Sequence, residues 1–534
     1  MNILLNTLWF FRTIKYVLFW VYLWQLKEYH IPRFIDHFTT HKGKKLLTNP
    51  LQSLKTLIVL FLAFYPELFP VCFVAVFAIW ALESLIFAKQ IYQGSAKKPV
   101  LTFKTLILLF ACTVVLIFAV AFVSFNFSDQ DQLFWLLVLD VLTPLLVSAI
   151  VLLVQPFFVM ARNNVLKKAA EKVKQHKNLK VIAITGSYGK TTTKEFLATI
   201  LSAKYNVLKT KEHQNSEMGI AKCILEELKP EHEIFVVEMG SYQKGGIKLL
   251  CDIVNPQIGI VTGVNEQHLS LFGSIENLLS AEGGQELAAA LPDNGLLILN
   301  GDNKYCLDLY KKTNKPKKTY SINRGKISSD IWAENIAFNQ NSVSFVAINK
   351  QKEAFDFNAN VLGKQNIQNL LAAILVSKEL GIDFDRIALA MSNIKPEYSG
   401  ITLQKNKLGI NVIDSSYSSN PDGVLADLDY LNIFSGKKII VMPCLIELGK
   451  KSAEIHERLG QKIGKICDIV IVTTKEHFEN IKKGAIYSGM EEKNIIFCEN
   501  PNDIYSIITL QAAANDAVLL EGRVPQKLIN LLQE

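Results

Sequence analysis

The apolar positions of this chain change character near residue 160. Before it they run in long uncharged blocks; after Leu179 they shorten to β-rich runs separated by amphipathic stretches. Residues 105–125 (TLILLFACTVVLIFAVAFVSF) form a block of the length that a bilayer-spanning helix requires. Residues 133–158 form a second block, carrying Asp140 and Pro144, and the link Ser128–Gln132 between the two is acidic without Lys or Arg. That link is expected to face outward, with Lys97, Lys98 and Lys104 before the pair and Arg162, Lys167 and Lys168 after it marking the inner side. Within residues 56–88, Pro66, Glu67 and Pro70 interrupt an apolar stretch long enough for one tilted span or a tight hairpin. Arg33, Lys42, Lys44 and Lys45 place the preceding segment inside and favour the hairpin. Residues 3–26 mix Arg12 and Lys15 with Trp9, Trp20 and Trp24, a pattern of a helix that either spans or lies in the interface. No small-residue cleavage site follows, which argues against a secretory signal peptide. Residues 1–160 are thus read as a transmembrane helical region of a multi-pass protein of the cell's inner membrane. Asp140 is costly at such depth, so it is either a functional carboxylate or one turned to the bundle interior or the interface.

Beyond Leu179, short apolar runs alternating with helical patterns predict an α/β region whose parallel sheets are covered by helices. Strands are expected at Val181–Thr185, Ile234–Glu238, Ile258–Val264 and Leu296–Leu299. A second series falls at Ile410–Asp414, Lys438–Met442, Asp468–Val472, Asn494–Cys498 and Ala517–Leu520. A helical stretch near Asn366–Leu380 and a linker around Pro396–Gly400 separate the series, so the soluble part divides into a central domain, 175–398, and a C-terminal domain, 399–534.

Composition supports the two regimes, because 50% hydrophobic and 20% charged residues are too apolar for an ordinary soluble chain of 534 residues. The net charge of +8 comes from scattered lysines rather than a basic arm interleaved with aromatics, which argues against nucleic acid and for a positive-inside membrane protein. Eight cysteines without a C-x-x-C pair exclude a zinc or disulfide framework and read as buried thiols in a reducing compartment.

Candidate chemistry starts where the strand VIAIT runs into Thr185-Gly186-Ser187-Tyr188-Gly189-Lys190-Thr191-Thr192, followed at once by a helical pattern over Lys194–Ala203. Glycines let backbone amides fold around phosphate oxygens, and the following helix aims its N-terminal amides and dipole at the anion. Lys190 would then reach the outer phosphates and Thr191 a magnesium ion. The general phosphate-loop pattern asks for glycine where this chain has Ile184, so the match is to a shorter variant. Other phosphate-loop enzymes share such a turn.

The shape T-G-S-x-G-K-T-T resembles the nucleotide loop of the Mur ligases and folylpolyglutamate synthetases. Asn215–Ile220 (NSEMGI), Glu238-Met239-Gly240, Asn265-Glu266-Gln267-His268-Leu269 with Phe272-Gly273-Ser274, and Leu299-Asn300-Gly301-Asp302 follow in the order and spacing of a Mur ligase central domain. Gly363-Lys364-Gln365-Asn366 with Asn369, the run Ile413–Pro421 (IDSSYSSNP), and Ile446-Glu447-Leu448-Gly449 with His456 resemble the adenine-contacting and C-terminal motifs. The likeness covers residues 179–525 and is closest to the members that add D-alanyl-D-alanine. It implies a phosphate-loop ATPase domain followed by a Rossmann-like domain. It also implies roles for residues: Gly186, Ser187, Tyr188, Gly189, Lys190, Thr191 and Thr192 around the nucleotide, Glu238 and His268 with Thr191 at magnesium, and Asn366, Asn369 and Asp414 at the nucleotide. The placement of Glu238 at the end of an apolar strand beside the loop agrees with where open α/β sheets bind ligands.

Four positions depart from the family. Its carbamylated lysine aligns with Glu282, which supplies a carboxylate on a shorter arm. A histidine is replaced by Gln365, an arginine after Gly400 by Ile401, and a second aspartate after Asp414 by Ser415. Losing a charged phosphate contact costs roughly 1.5–3 kcal/mol unless another group such as Lys405 or Lys407 replaces it. In place of the N-terminal domain that holds the UDP-muramoyl substrate, this chain has apolar helices.

The resemblance implies an ATP-dependent carboxylate–amine ligase, with Lys190, Glu238, His268 and Glu282 catalytic, ATP and magnesium as cofactors, and a UDP-linked or lipid-linked cell-wall precursor as acceptor. The membrane bilayer is the other expected partner. The rival reading, prompted by Ile401 and Ser415, is a membrane-bound nucleotide-binding scaffold without ligation. An ATP-driven transporter is disfavoured by the small number of helices.

Overall fold

The computed structural model describes residues 2–212, 214–322, 329–417 and 420–533, and divides into two compact units, Met1–Asn163 and Asn164–Glu534. The first unit is helical: α1 (Asn2–Leu26), α2 (Ile31–His37), α3 (His41–Leu47), α4 (Pro50–Phe64), α5 (Phe69–Tyr92), α6 (Phe103–Asn126) and the start of α7 (Asp129–Gln175). The interrupted stretch 56–88 is therefore two helices, joined through Tyr65–Leu68, where Pro66 cannot continue the preceding helix. Gly43–Phe64, Pro66–Tyr92, Phe103–Asn126 and Asp131–Gln175 are long and apolar enough to cross a membrane, by length and composition. Their outward side chains, among them Phe110, Phe118, Phe125, Leu153 and Phe157, are largely exposed, while Trp9, Trp24, Trp80, Leu108 and Val147 form the core of the bundle.

Four ionisable side chains lie inside that core. Arg12 from α1 and Lys55 from α4 are fully buried against Glu83 from α5 and Asp140 from α7. Arg12 Nε donates to Glu83 at 2.9 Å and its Nη1 pairs with Asp140. Lys55 Nζ lies 3.0 Å from both carboxylates, and the Trp80 indole donates to Asp140 at 3.0 Å. Asp140 is thus turned to the bundle interior, and the two cations and two anions cancel. Transfer of a lone charge into such surroundings would cost several kcal/mol, which mutual pairing offsets.

The second unit holds two sheets among the described residues. The larger contains β1 (Lys180–Thr185), β2 (Val207–Lys209), β3 (Ile234–Glu238), β4 (Ile258–Val261), β5 (Leu296–Asn300), β6 (Lys317–Ser321), β7 (Ile331–Phe338), β8 (Val343–Asn349) and β9 (Ala354–Ala359), in the order β2-β3-β1-β4-β5-β6-β7-β8-β9. It is parallel from β2 to β7 and antiparallel from there on. The smaller contains β10 (Thr402–Lys405), β11 (Asn411–Ser415), β12 (Lys438–Met442), β13 (Ile469–Val472), β14 (Ile495–Phe497) and β15 (Ala517–Glu521), in the order β10-β11-β15-β12-β13-β14, with β10 antiparallel to its neighbour. Both sheets are therefore mixed, which corrects the expectation of parallel sheets alone. Of the strands that the sequence does not reveal, β8 alternates buried and half-buried positions, whereas the readily legible β3 is buried throughout.

Other boundaries shift for local reasons. The strand expected to reach Val264 ends at Val261; beyond it Gly263 adopts φ +156° and its carbonyl accepts from the Ser187 N–H of the neighbouring loop at 2.8 Å. The helix after the glycine loop, α8 (Lys190–Leu201), begins on the loop itself. The cysteines are free thiols, buried except for the half-buried Cys498.

Candidate functional site

β1 lies between β3 and β4 in the sheet, so the chain leaving Thr185 emerges where strand order reverses, the position at which open α/β sheets bind ligands. The turn Gly186–Gly189 leads directly into α8, whose first-turn N–H groups have no partner inside the helix. Gly186 (φ +138°) and Gly189 (φ +74°) occupy backbone regions closed to most side chains. There is no space for a side chain either: a Cβ on Gly186 would sit 2.3 Å from Thr262 Oγ1, and one on Gly189 would sit 2.7 Å from Asn369 Oδ1. Lys190 Nζ donates to the Gly186 carbonyl at 2.6 Å, holding its ammonium over the loop. The Tyr188 carbonyl accepts from Thr262 Oγ1, and the ring hydroxyl accepts from Asn303 at 3.3 Å, so this side chain points into the fold. Thr192 approaches Gly400, 3.8 Å from where a Cβ would stand.

Glu282 meets the same loop from the helix Ile275–Ala281, at whose C-terminal end it stands. Its Oε2 accepts from Ser187 Oγ at 2.8 Å and its Oε1 faces His268 Nδ1 at 2.9 Å. Burial pushes this carboxyl up, but His268, Lys190 and Ser187 together more than offset the burial and hold it below the usual carboxylate range. Glu238 closes β3, opposite Ile184 of β1, and is buried. Its carboxylate accepts from Lys194 at 3.2 Å and from Asn215 at 3.1 Å, and its own N–H donates to Thr210 Oγ1. Sequence reading did not assign Lys194 a role; its position one helical turn after Lys190 was the available signal. Among the described residues no three His, Cys, Asp or Glu side chains converge to hold a metal ion. What stands beside the loop is instead a set of hard oxygen donors, the Thr191 hydroxyl and the Glu238 carboxylate, of the kind magnesium accepts together with phosphate oxygens.

Asn366 and Asn369 open the helix Asn366–Glu379, and both are buried. The Asn366 amide donates to the Leu362 and Ser399 carbonyls at 2.6 and 3.0 Å, while Asn369 donates to Asn366 Oδ1 and accepts from Thr193 of α8 at 3.2 Å. Their amides therefore tie this helix to α8. Asp414, at the end of β11, accepts from the Ser416 N–H at 2.9 Å and from Gln533 at 3.4 Å. Ser418 and Ser419, part of the same motif, lie outside the described residues.

Two of the departures from the family pattern meet at one carboxylate. Gln365 donates to Asp427 Oδ1 at 3.2 Å, and Ser415 donates to Asp427 Oδ2 at 2.5 Å. Asp427 is fully enclosed and burial pushes its carboxyl up, so neutral donors are the groups that suit it. Ile401 is buried in the core under the smaller sheet, where a guanidinium would be out of place. Lys405 is exposed and bonded to Asn515 at 3.0 Å.

Several contacts connect the loop after β4 with the smaller sheet's side of the unit. Asn265 donates to Asn420 and Asp422, each at 3.0 Å; Lys451 donates to Glu266 at 3.0 Å; and the Ser270 N–H donates to the Glu447 carbonyl at 3.2 Å. Glu447 lies in the motif Ile446–Gly449, where the sequence alone assigns it no role.

Against known proteins, the Mur ligase middle domain matches residues 184–377 and the Mur ligase glutamate ligase domain matches residues 402–524. A UDP-N-acetylmuramoyl-tripeptide–D-alanyl-D-alanine ligase of Synechocystis sp. is 32% identical over 340 residues, covering 63% of this chain and 70% of the relative. The chain belongs to the Mur ligase family. The corresponding ligase of Escherichia coli is 29% identical over 318 residues, covering 59% of this chain and 69% of its own length. Among solved structures, MurF of Acinetobacter baumannii superposes with a TM-score of 0.62 at 23% identity, covering 70% of this chain and 81% of its own. MurF of Thermotoga maritima, solved in complex with ADP, gives 0.61 at 24% identity, over 70% and 83% of the two chains. Both share the Mur ligase α/β fold. Mur ligases are ATP-dependent ligases that form amide bonds, and the motifs described above belong to the two matched regions of this one. Residues 1–163 lie outside both.

Proposed function

We propose that this Mur ligase joins the carboxylate of a muramoyl tripeptide precursor, as in UDP-N-acetylmuramoyl tripeptide, to the amine of D-alanyl-D-alanine, at the expense of ATP. The observation that carries the reading is the chain of contacts Lys190–Gly186 and Ser187–Glu282–His268, set on a glycine turn at the switch point of the larger sheet. A carboxylate is a poor electrophile, and conversion to an acyl-phosphate makes it one that an amine attacks. Phosphoryl transfer is catalysed chiefly by positioning and charge neutralisation. The amides of Gly186–Thr192 would hold the phosphate tail in line, with the Lys190 ammonium swung from the Gly186 carbonyl onto the outer phosphate oxygens. Glu282, held ionised by its neighbours, would orient His268 through Nδ1, leaving that imidazole beside the transferring group. Magnesium would be held by Thr191 and Glu238, with His268 near, and when bound it neutralises phosphate charge.

The reading includes a central phosphate-loop domain, 175–398, and a Rossmann-like C-terminal domain, 399–534, with Asn366, Asn369 and Asp414 toward the nucleotide. It also includes a membrane anchor over residues 1–160, supported by four apolar stretches of spanning length and by the basic flanks Lys97, Lys98, Arg162, Lys167 and Lys168. The catalytic part would then be cytoplasmic and next to the bilayer where lipid-linked precursors are used.

The test is incubation of the detergent-solubilised full chain with magnesium-ATP, the muramoyl tripeptide nucleotide and D-alanyl-D-alanine, with ADP release and product mass followed together. ADP release that requires both co-substrates, with a product heavier than the tripeptide by the dipeptide less water, is the expected result. Binding of ATP without turnover would point instead to a nucleotide-binding scaffold, the reading that Ile401 and Ser415 favour.

A further inference from the structure

His268 is held from both sides. Its Nδ1 faces Glu282 at 2.9 Å, and its Nε2 faces Glu447 Oε2 at 3.6 Å, with both glutamates largely buried. Glu447 belongs to the segment between β12 and the helix Ser452–Ile466, so the line Ser187–Glu282–His268–Glu447 runs from the phosphate loop to a loop of the smaller sheet.

Two facts set this contact apart from an incidental surface pair. Glu447 (φ +68°) and His268 (φ +64°) are both non-glycine residues in the left-handed region, an unfavourable conformation that persists where surroundings enforce it. The loop that presents Glu447 is also pinned in depth. The Leu445 N–H donates to Nε2 of the fully buried His456 at 2.8 Å, and the Cys444 N–H donates to Thr474 Oγ1 at 2.7 Å. Glu447 is also attached to the His268 loop through its backbone, the Ser270 N–H donating to the Glu447 carbonyl.

We propose that Glu447 is a positioning residue of the ligase site, which fixes the orientation of the His268 imidazole from the side opposite Glu282. His268 then takes its working geometry only when the Cys444–Lys451 segment is seated against the loop after β4, so that the seating of one loop sets the competence of the other. This rests on the ligase reading, in which His268 acts at the phosphate.

The experiment uses the detergent-solubilised full chain as wild type, Glu447→Ala and Glu447→Gln. Substrate-dependent ADP release should show kcat reduced about 10- to 100-fold in Glu447→Ala, the usual effect of losing a partner that orients an active-site imidazole, with KM for ATP within about twofold. Glu447→Gln, which keeps the shape and a polar end, should recover part of the loss. Amide hydrogen exchange over residues 266–272 should accelerate about tenfold in Glu447→Ala while residues 186–192 keep their wild-type rates. Unchanged exchange, an unchanged kcat, or a loss confined to KM would each overturn the proposal. A wild type that turns over no substrate would sink the ligase reading instead, and the exchange measurement would still decide whether Glu447 orders the His268 loop.

Discussion

At the scale of single residues, the site is built by side chains that hold one another. His456 is the clearest case, since its Nε2 accepts from Leu445 and its Nδ1 donates to the Ser452 carbonyl at 2.6 Å, which requires the neutral imidazole. Burial pulls its pKa down to about 4 from an ordinary 6.5. An unfolded chain therefore binds a proton in this window that the fold refuses, so stability rises with pH from about 4 to 6.5 and is complete above that. The shift corresponds to about 3 kcal/mol. In thermal unfolding followed across this range, His456→Asn should flatten the slope, and an unchanged slope would place the proton elsewhere. Gly189→Ala should weaken binding of a fluorescent ATP analogue by tenfold or more, because a Cβ there meets Asn369 and the left-handed backbone adds about 1–2 kcal/mol; retained affinity would contradict a phosphate cradle at this turn. The sequence made the glycine turn, Lys190 and Glu238 legible because they sit at a strand end followed by a helix. It could not reveal that Gln365 and Ser415 share Asp427, since Gln365 lies 62 residues from that carboxylate and Ser415 on a different element from it. Nor could it reveal that Ile401 is a packing residue, since a mismatch to a family motif says nothing about which side of the chain faces the core.

At the scale of elements, legibility followed burial. Strands buried on both faces, such as β3 and β15, read directly as apolar runs. The antiparallel β7–β9, half solvated and joined by polar turns around Asn339–Ser342 and Lys350–Lys352, offered a weaker signal. In the first unit the decisive relation is again between elements: α1 carries Arg12 because α5 and α7 carry Glu83 and Asp140. Arg12→Ala would leave two buried carboxylates to one lysine, a loss of about 3–5 kcal/mol. Arg12→Leu combined with Asp140→Leu leaves Lys55 with Glu83 and should regain much of that. Thermal unfolding and yield in detergent measure both, and an Arg12→Ala protein as stable as wild type would show that the charges are not mutually dependent.

At the scale of the whole molecule, the two matched Mur ligase regions account for the second unit, and the apolar blocks mark out the first. If residues 1–160 are a membrane anchor, the protein should remain with the membrane fraction through alkaline carbonate and high-salt washes and be released by detergent; release by salt alone would reduce the attachment to electrostatic adhesion. The division was legible because a long uncharged block and a short β run have different lengths and neighbours, whereas the number of helices in the first block depended on where Pro66 and Pro70 fell.

The paired charges of the first unit also constrain how the protein can be made. Arg12 leaves the ribosome long before Asp140 is synthesised, and Lys55 precedes Glu83, so each base emerges ahead of its acid. If the first unit is a membrane bundle, the helix carrying Arg12 meets Glu83 of α5 before Asp140 of α7, so its set of partners is complete only after α7 has been added. Biogenesis in that case would end with a late docking step, in which a helix made before its acidic partners settles after them.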